Sequence, residues 1–187
     1  MLDGIDAALE AGLDPVKINV VAVRGVNDDE LVDFATFGRE KGVTVRFIEF
    51  MPLDAQGAWT NDQVLTQTEI LERVGEVYPL EVTDTRGSAP AERFHYRDGG
   101  GELGVIASVT HSFCSSCDRV RLTAEGELRN CLFAVDEHDL RGLLRSGGSD
   151  DDLAAVVAQS VAAKWAGHQI NQPVFIRPAR SMSQIGG

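Results

Sequence analysis

Three cysteines, Cys114, Cys117 and Cys131, fall within eighteen residues of a chain of 187 that has no others. An odd, clustered count is a poor disulfide framework and a good metal site. Two residues separate Cys114 from Cys117, a spacing that lets one tight turn aim both thiolates at a common metal, and Cys131 returns after thirteen more. That interval fits a hairpin: Val120–Thr123 and Leu128–Leu132 alternate like strands, and 124–127 reads as the turn. Two metals fit the spacing equally. One is a [4Fe–4S] cluster, in which three thiolates leave one iron open to a substrate. The other is structural zinc, with His111, three residues before Cys114, completing a Cys₃His set. A thioredoxin-like dithiol is disfavoured because strand-like residues, not a helix, follow the C-x-x-C pair. Three buried cysteines acting only as small apolar residues are the weakest reading. Arg119 and Arg121 follow directly and, in extended chain, share a face; two guanidiniums there suit a polyphosphate, although solvated surface arginines are commoner.

The overall charge sharpens this. Lys and Arg number 17 against 29 Asp and Glu, a net charge of −12, which works against general affinity for DNA, RNA or an anionic membrane. A phosphate ligand therefore requires a local basic cluster. No apolar run approaches the roughly 20 residues that span a bilayer, and no signal segment is visible, so a soluble cytoplasmic protein is expected.

Several elements must position these residues. Apolar spacing over Leu2–Leu13 predicts a helix, and Val16–Val23 a buried parallel strand. Asn27 and Asp28 offer caps for a helix from about Asp29 to Lys41, closed by Gly42, and a second buried strand spans Val43–Met51. Thr66 caps a helix from Thr68 to about Val77. This alternation predicts an α/β fold of βα units in a parallel sheet or barrel. Beyond a boundary placed near Thr85–Pro90, Asp98–Gly101 reads as the turn of a hairpin between Arg93–Arg97 and Leu103–Ser108. The cysteine segment follows, then a helix over about Leu153–Ala166 and a tail ending Gly186-Gly187. His168 has no assigned role and reads as a helix-end or core histidine.

Ser112–Phe133, containing C-S-S-C-D-R-V-R-L-T-A-E-G-E-L-R-N-C, closely resembles the MoaA family of GTP 3′,8-cyclases of molybdenum cofactor biosynthesis, a radical-SAM family. The resemblance extends in order to Val16–Val21 with Arg24–Asp28, to Val45–Pro52, and to the final Arg180–Gly187. It implies the C-terminal part of an incomplete (βα)₆ radical-SAM barrel over residues 1–85, followed by an α+β iron–sulfur subdomain over 86–187. Cys114, Cys117 and Cys131 match the ligands of a C-terminal [4Fe–4S] cluster that binds GTP through its open iron. Lys17, Arg46, Arg119 and Arg121 match GTP-binding positions, and Met51 a position lining the S-adenosylmethionine site. Taken alone, Lys17 reads as surface charge, Met51 as packing, and Arg46 as one half of a buried ion pair with Glu49 or a neighbouring acid. Gly186 and Gly187 match a tail that reaches the active site, where a side-chain-free end fits a crowded pocket; an ordinary frayed terminus is the default.

The family's other cluster, on a C-x-x-x-C-x-x-C loop, cleaves S-adenosylmethionine, and no such motif occurs here. The expectation is a GTP-binding fragment, inactive alone, that needs its N-terminal half as partner. It is also expected to dimerise or aggregate, because an interrupted barrel exposes strand edges and apolar surface. A non-catalytic zinc or iron–sulfur nucleotide-binding module is the alternative. An auxiliary-cluster domain of another radical-SAM maturase is a third reading, disfavoured because such domains usually carry more than three cysteines.

Overall fold

The computed structural model describes residues 2–53, 57–83, 86–164, 167–170 and 172–185. The chain divides into two compact units, residues 1–50 with 61–111 and residues 51–60 with 112–187.

The first unit begins with α1 (Leu2–Glu10) and builds a five-stranded sheet from β1 (Lys17–Ala22), β2 (Thr44–Glu49), β3 (Leu80–Val82), β4 (Glu92–Tyr96) and β5 (Glu102–Ile106), in the order β1-β2-β5-β4-β3. β1, β2 and β5 run parallel, and β4 and β3 are added antiparallel. The expected hairpin forms as β4 and β5. It lies on the first unit's side of the division because β5 pairs directly with β2. The boundary expected near residue 85 thus moves to His111. Conversely, residues 51–60 group with the second unit, where the Met182 N–H donates to the Leu53 carbonyl at 3.0 Å.

α2 (Leu31–Lys41) and α3 (Gln67–Gly75) supply Leu31, Ala35, Ile70 and Val74 to a core shared with Val20, Val45, Phe47, Leu103 and Val105 of the strands. Gly38 lets α2 settle onto β2: a Cβ there would stand 2.8 Å from Val45 Cγ2. Asn27 and Asp28 do not cap α2, which starts at Leu31. They close the turn after β1 instead: Asn27 Oδ1 accepts from Val23 N–H at 2.8 Å and Asp28 Oδ1 from Gly25 N–H at 2.7 Å. Arg39, late in α2, lies 4.5 Å from the ring centroids of both Tyr78 and Tyr96 and forks onto Asp98 in the β4–β5 turn at 3.0 and 2.6 Å. Buried among these groups, the Tyr96 hydroxyl is pushed up to about 12.

β1 and β2 are not buried on both faces as the sequence pattern suggested. Val20, Ala22, Val45, Phe47 and Glu49 point into the core, whereas Lys17, Asn19 and Val21 are exposed and Thr44, Arg46 and Ile48 half-buried on the other side. Glu49 is fully buried and saturated. Its carboxylate accepts from the backbone N–H groups of Gln67 at 3.0 Å and of Val109 and Thr110 at 2.8 Å each, and from the Thr110 hydroxyl. It forms no pair with Arg46, because residues three apart along a strand point to opposite faces.

The second unit carries a small antiparallel sheet, β6 (Arg121–Leu122), β7 (Glu127–Arg129) and β8 (His138–Asp139), with α4 (Leu140–Arg145) and α5 (Asp150–Ala162). α5 begins three residues earlier than its apolar pattern indicates. Ser149 and Asp152 form a reciprocal capping pair there, and the acidic residues 150–152 complement the helix N-terminus.

Two stability measurements test this account. Glu49→Gln should destabilise the chain by about 3 kcal/mol in denaturant titration, because the amide NH₂ faces donors that lose their acceptor. Glu69 is held down to about 2 by the Thr66 backbone N–H and then by Arg24, at 2.6 Å, against an ordinary 4.5. A carboxylate depressed on folding contributes stability above its unfolded value and loses it as pH falls from about 4.5 toward 2. Glu69→Gln should therefore flatten the pH dependence of unfolding in that window.

Candidate metal centre

The second unit assembles the cysteine site from a turn and a hairpin. Cys114 opens a short 3₁₀ turn, Cys114–Ser116, and the Cys117 N–H closes it on the Cys114 carbonyl at 3.2 Å, so the C-x-x-C pair forms one tight turn. β6 and β7 pair with Arg121 opposite Arg129, around a turn in which Gly126 takes φ +84°. Ladder pairing ends at Arg121 and Arg129; beyond it one segment leads back to Arg119 and Cys117 and the other on to Cys131. That is how the third cysteine comes back to the first two.

All three cysteines are half-buried free thiols. Burial alone would raise the Cys117 thiol; the Arg119 backbone N–H and guanidinium, with Lys164, outweigh it and hold the thiol below its ordinary value. Cys131 is raised, first by burial and then by the nearby Cys114 and Cys117, partly offset by the Phe133 N–H, which donates to its sulfur at 3.4 Å. A largely apolar cavity of about 370 Å³ backs Cys131 and accounts for that desolvation; Phe133, Phe175 and His168 are in its wall. His168 packs edge-on to Phe133 and accepts from the Ile170 N–H at 3.3 Å, the structural role expected of it.

Among the described residues no group of three or more His, Cys, Asp or Glu side chains is placed to hold a metal ion. The donor chemistry nevertheless fits a thiolate-bound group: three free thiols in one unit, each near enough to feel another's charge, with cations around them. His111, the candidate fourth zinc ligand, is exposed at the end of the first unit, its Nδ1 3.3 Å from the Thr110 hydroxyl.

The local basic cluster that an acidic chain requires is present. Arg119 lies 4.8 Å over the Phe113 ring. Arg121 is half-buried, donates to the Ile185 carbonyl at 3.3 Å and has its pKa lowered, first by burial and then by Arg119, while Cys131 and Cys117 act in its favour. Nothing in the residue pattern marks Arg129 and Lys164 as neighbours of this cluster. Arg129 is 2 % exposed and pairs with Glu137 and the Ala134 carbonyl. A charged residue in a short strand carries no periodic signal for burial; only its register opposite Arg121 points to it.

The tail is anchored rather than frayed as far as Ile185. Arg180 donates to both oxygens of Glu137 at 2.7 and 3.1 Å and to Glu125 at 3.1 Å. Ser181 and Gln184 cap the last 3₁₀ turn, and Ile185 is 1 % exposed. Gly186 and Gly187 lie outside the described residues.

Of the other expected site residues, Lys17 and Arg46 share the open face of the first unit's sheet, in strands paired Lys17 to Thr44 and Asn19 to Arg46. Arg46 lies across Gly104, where a Cβ would stand 2.7 Å from its Cγ, and its Nε is buried with no hydrogen-bond partner among the described residues. Met51 is half-buried just past β2, in the segment grouped with the second unit.

A mixed α/β chain with a thiol-rich second unit and a local cationic cluster defines the class, and residues 43–170 match the family described as Molybdenum Cofactor Synthesis C. The chain belongs to that family. It is 47 % identical over 189 residues to a GTP 3′,8-cyclase of Streptomyces coelicolor and 47 % identical over 192 residues to one of Rhodopirellula baltica. A Corynebacterium glutamicum GTP 3′,8-cyclase is 46 % identical over 193 residues. All of this chain is matched each time, against 55, 53 and 51 % of those relatives, so the chain spans about half their length. No described helix is long and apolar enough to cross a membrane.

The tail anchor makes a prediction. Arg180→Gln removes charge-assisted bonds worth about 1.5–3 kcal/mol while leaving Arg129 paired with Glu137. Amide hydrogen exchange at Ile185 should quicken by roughly tenfold or more, with β6–β7 amides unchanged.

Proposed function

We propose that this chain is the nucleotide-binding portion of a GTP 3′,8-cyclase, holding a [4Fe–4S] cluster on Cys114, Cys117 and Cys131. The observation that carries the reading is the placement of three free thiols beside Arg119 and Arg121 in one unit of a chain whose net charge is −12. Three thiolates leave a four-iron cluster one iron short of protein ligands, and when bound it supplies that iron as a Lewis-acidic attachment point for the nucleotide.

The chain's own residues bind and orient. Arg119 and Arg121 take the triphosphate, where planar guanidiniums make paired, charge-assisted bonds. Lys17 and Arg46 contribute further contacts to the nucleotide, and the buried, unpartnered Arg46 Nε supports a polar ligand on that sheet face. Met51 lines the S-adenosylmethionine site, and Gly186 and Gly187 take part in the reaction. The parallel strands β1, β2 and β5 are the last strands of an incomplete (βα)₆ barrel whose earlier strands and S-adenosylmethionine-cleaving cluster belong to an N-terminal half. Alone, the chain binds GTP without turning it over, and its open sheet face favours self-association.

The test is reconstitution of the 187-residue chain under anaerobic conditions, with iron, sulfide and zinc quantified and GTP binding measured. Expected are about four irons and four sulfides per chain, with a visible absorption that GTP perturbs. Arg119→Ala with Arg121→Ala should weaken GTP binding by at least about tenfold for each guanidinium lost, leaving iron content intact. One zinc and no colour would establish the zinc module instead. No 5′-deoxyadenosine should form from S-adenosylmethionine and reductant with this chain alone.

A further inference from the structure

Lys164 follows α5, away in sequence from both cysteine segments, yet its ammonium donates to a backbone carbonyl in each. One bond goes to Arg119, two residues after Cys117; the other, at 2.8 Å, goes to Asn130, which immediately precedes Cys131. The Asn130 side chain in turn donates to the carbonyl of the fully buried Ser160, one turn earlier on α5, at 2.9 Å. The end of α5 thus grips the Cys131 segment at two points and the Cys117 segment at one.

Ordering a lysine side chain costs rotamer entropy that isolated contacts on a surface rarely recover. Here the ammonium spends two of its three donors on carbonyls whose strands have already left the β6–β7 ladder, since pairing ends at Arg121 and Arg129. Without Lys164 nothing in that ladder sets the separation of the Cys117 and Cys131 segments. The same ammonium is close enough to act on the charge of both thiols.

We infer that Lys164 is a positioning residue of the thiolate site: it straps the Cys114–Cys117 turn to the Cys131 segment and compensates the negative charge of the ligated thiolates. This rests on the thiolate-cluster reading given above. A lysine that merely completed the fold would supply hydrogen bonds but leave the electronic properties of a bound cluster indifferent to its charge.

The experiment compares wild type with Lys164→Met, Lys164→Gln and Lys164→Arg, each reconstituted anaerobically with iron and sulfide. Iron per chain, the rate of iron loss to a chelator and the reduction potential of the bound cluster are measured. Lys164→Met should lose iron at least about tenfold faster, and its potential should fall because a positive charge that favours the added electron is gone. Lys164→Gln keeps a donor without the charge, so its potential should fall as well even if its iron is held better; it also serves should the Met variant not fold. Lys164→Arg should restore both properties. Wild type holding iron no better than Lys164→Met, or a potential unmoved in both neutral variants, overturns the strap. A wild-type chain that takes up no iron overturns the cluster reading itself, and the strap with it.

Discussion

The buried carboxylate of Glu49 is the constraint on which the arrangement of the chain depends. It sits at the last position of β2, and its four acceptor bonds tie that strand end to the start of α3 and to residues 109 and 110 just past β5. The backbone leaves the first unit at Phe50–Met51, returns at Thr60–Asn61 and leaves again at His111–Ser112, and both departures lie within two residues of the carboxylate or its partners. A buried charge without a counterion is tolerated only when donors converge on it, and here three backbone N–H groups and a hydroxyl do. Every residue of the cysteine site lies downstream of the second departure.

In the second unit the governing problem is electrostatic. A chain with twelve excess negative charges collects Arg119, Arg121, Arg129, Arg180 and Lys164 in the smaller of its units, and distributes them over two tasks. Arg129 and Arg180 share Glu137, a carboxylate whose own burial is outweighed by the two guanidiniums and which stays below the usual carboxylate range. That network fixes the hairpin and the tail. Arg119 and Lys164 instead turn toward the thiols, one over an aromatic ring and one onto carbonyls, and thiolates there meet positive charge without a competing acid on the same atoms. The division keeps the scaffold neutral and the site cationic.

What could be read from residues alone varied with the range of the forces involved. The C-x-x-C turn, the β6–β7 hairpin, the Thr66 cap and the parallel start of the sheet follow from spacing and local chemistry, and all stand in the structure. The unit boundary did not, because the β4–β5 hairpin looks the same from its sequence whether it begins a new unit or extends an old sheet; β5 pairing with β2 across more than fifty residues decides it. Apolar runs in β1 and β2 suggested burial on both faces, but helices cover only one, leaving Lys17 and Arg46 on the other. Arg129 and Lys164 were invisible as site residues, since a single charge in a strand or after a helix has no pattern to distinguish it.

By itself, then, the sequence determined which reactive groups stand close along the chain: three thiols at metal-binding spacing and two arginines beside them. Those properties reside in residue type and short-range spacing, which survive any arrangement of the rest. Tertiary structure alone decided which cations serve the thiols and which are neutralised by carboxylates, where one unit ends and the next begins, and that the tail is held as far as Ile185. The reason is that burial, desolvation and hydrogen bonding between residues such as Lys164 and Asn130, thirty-four apart, exist only once the chain has folded.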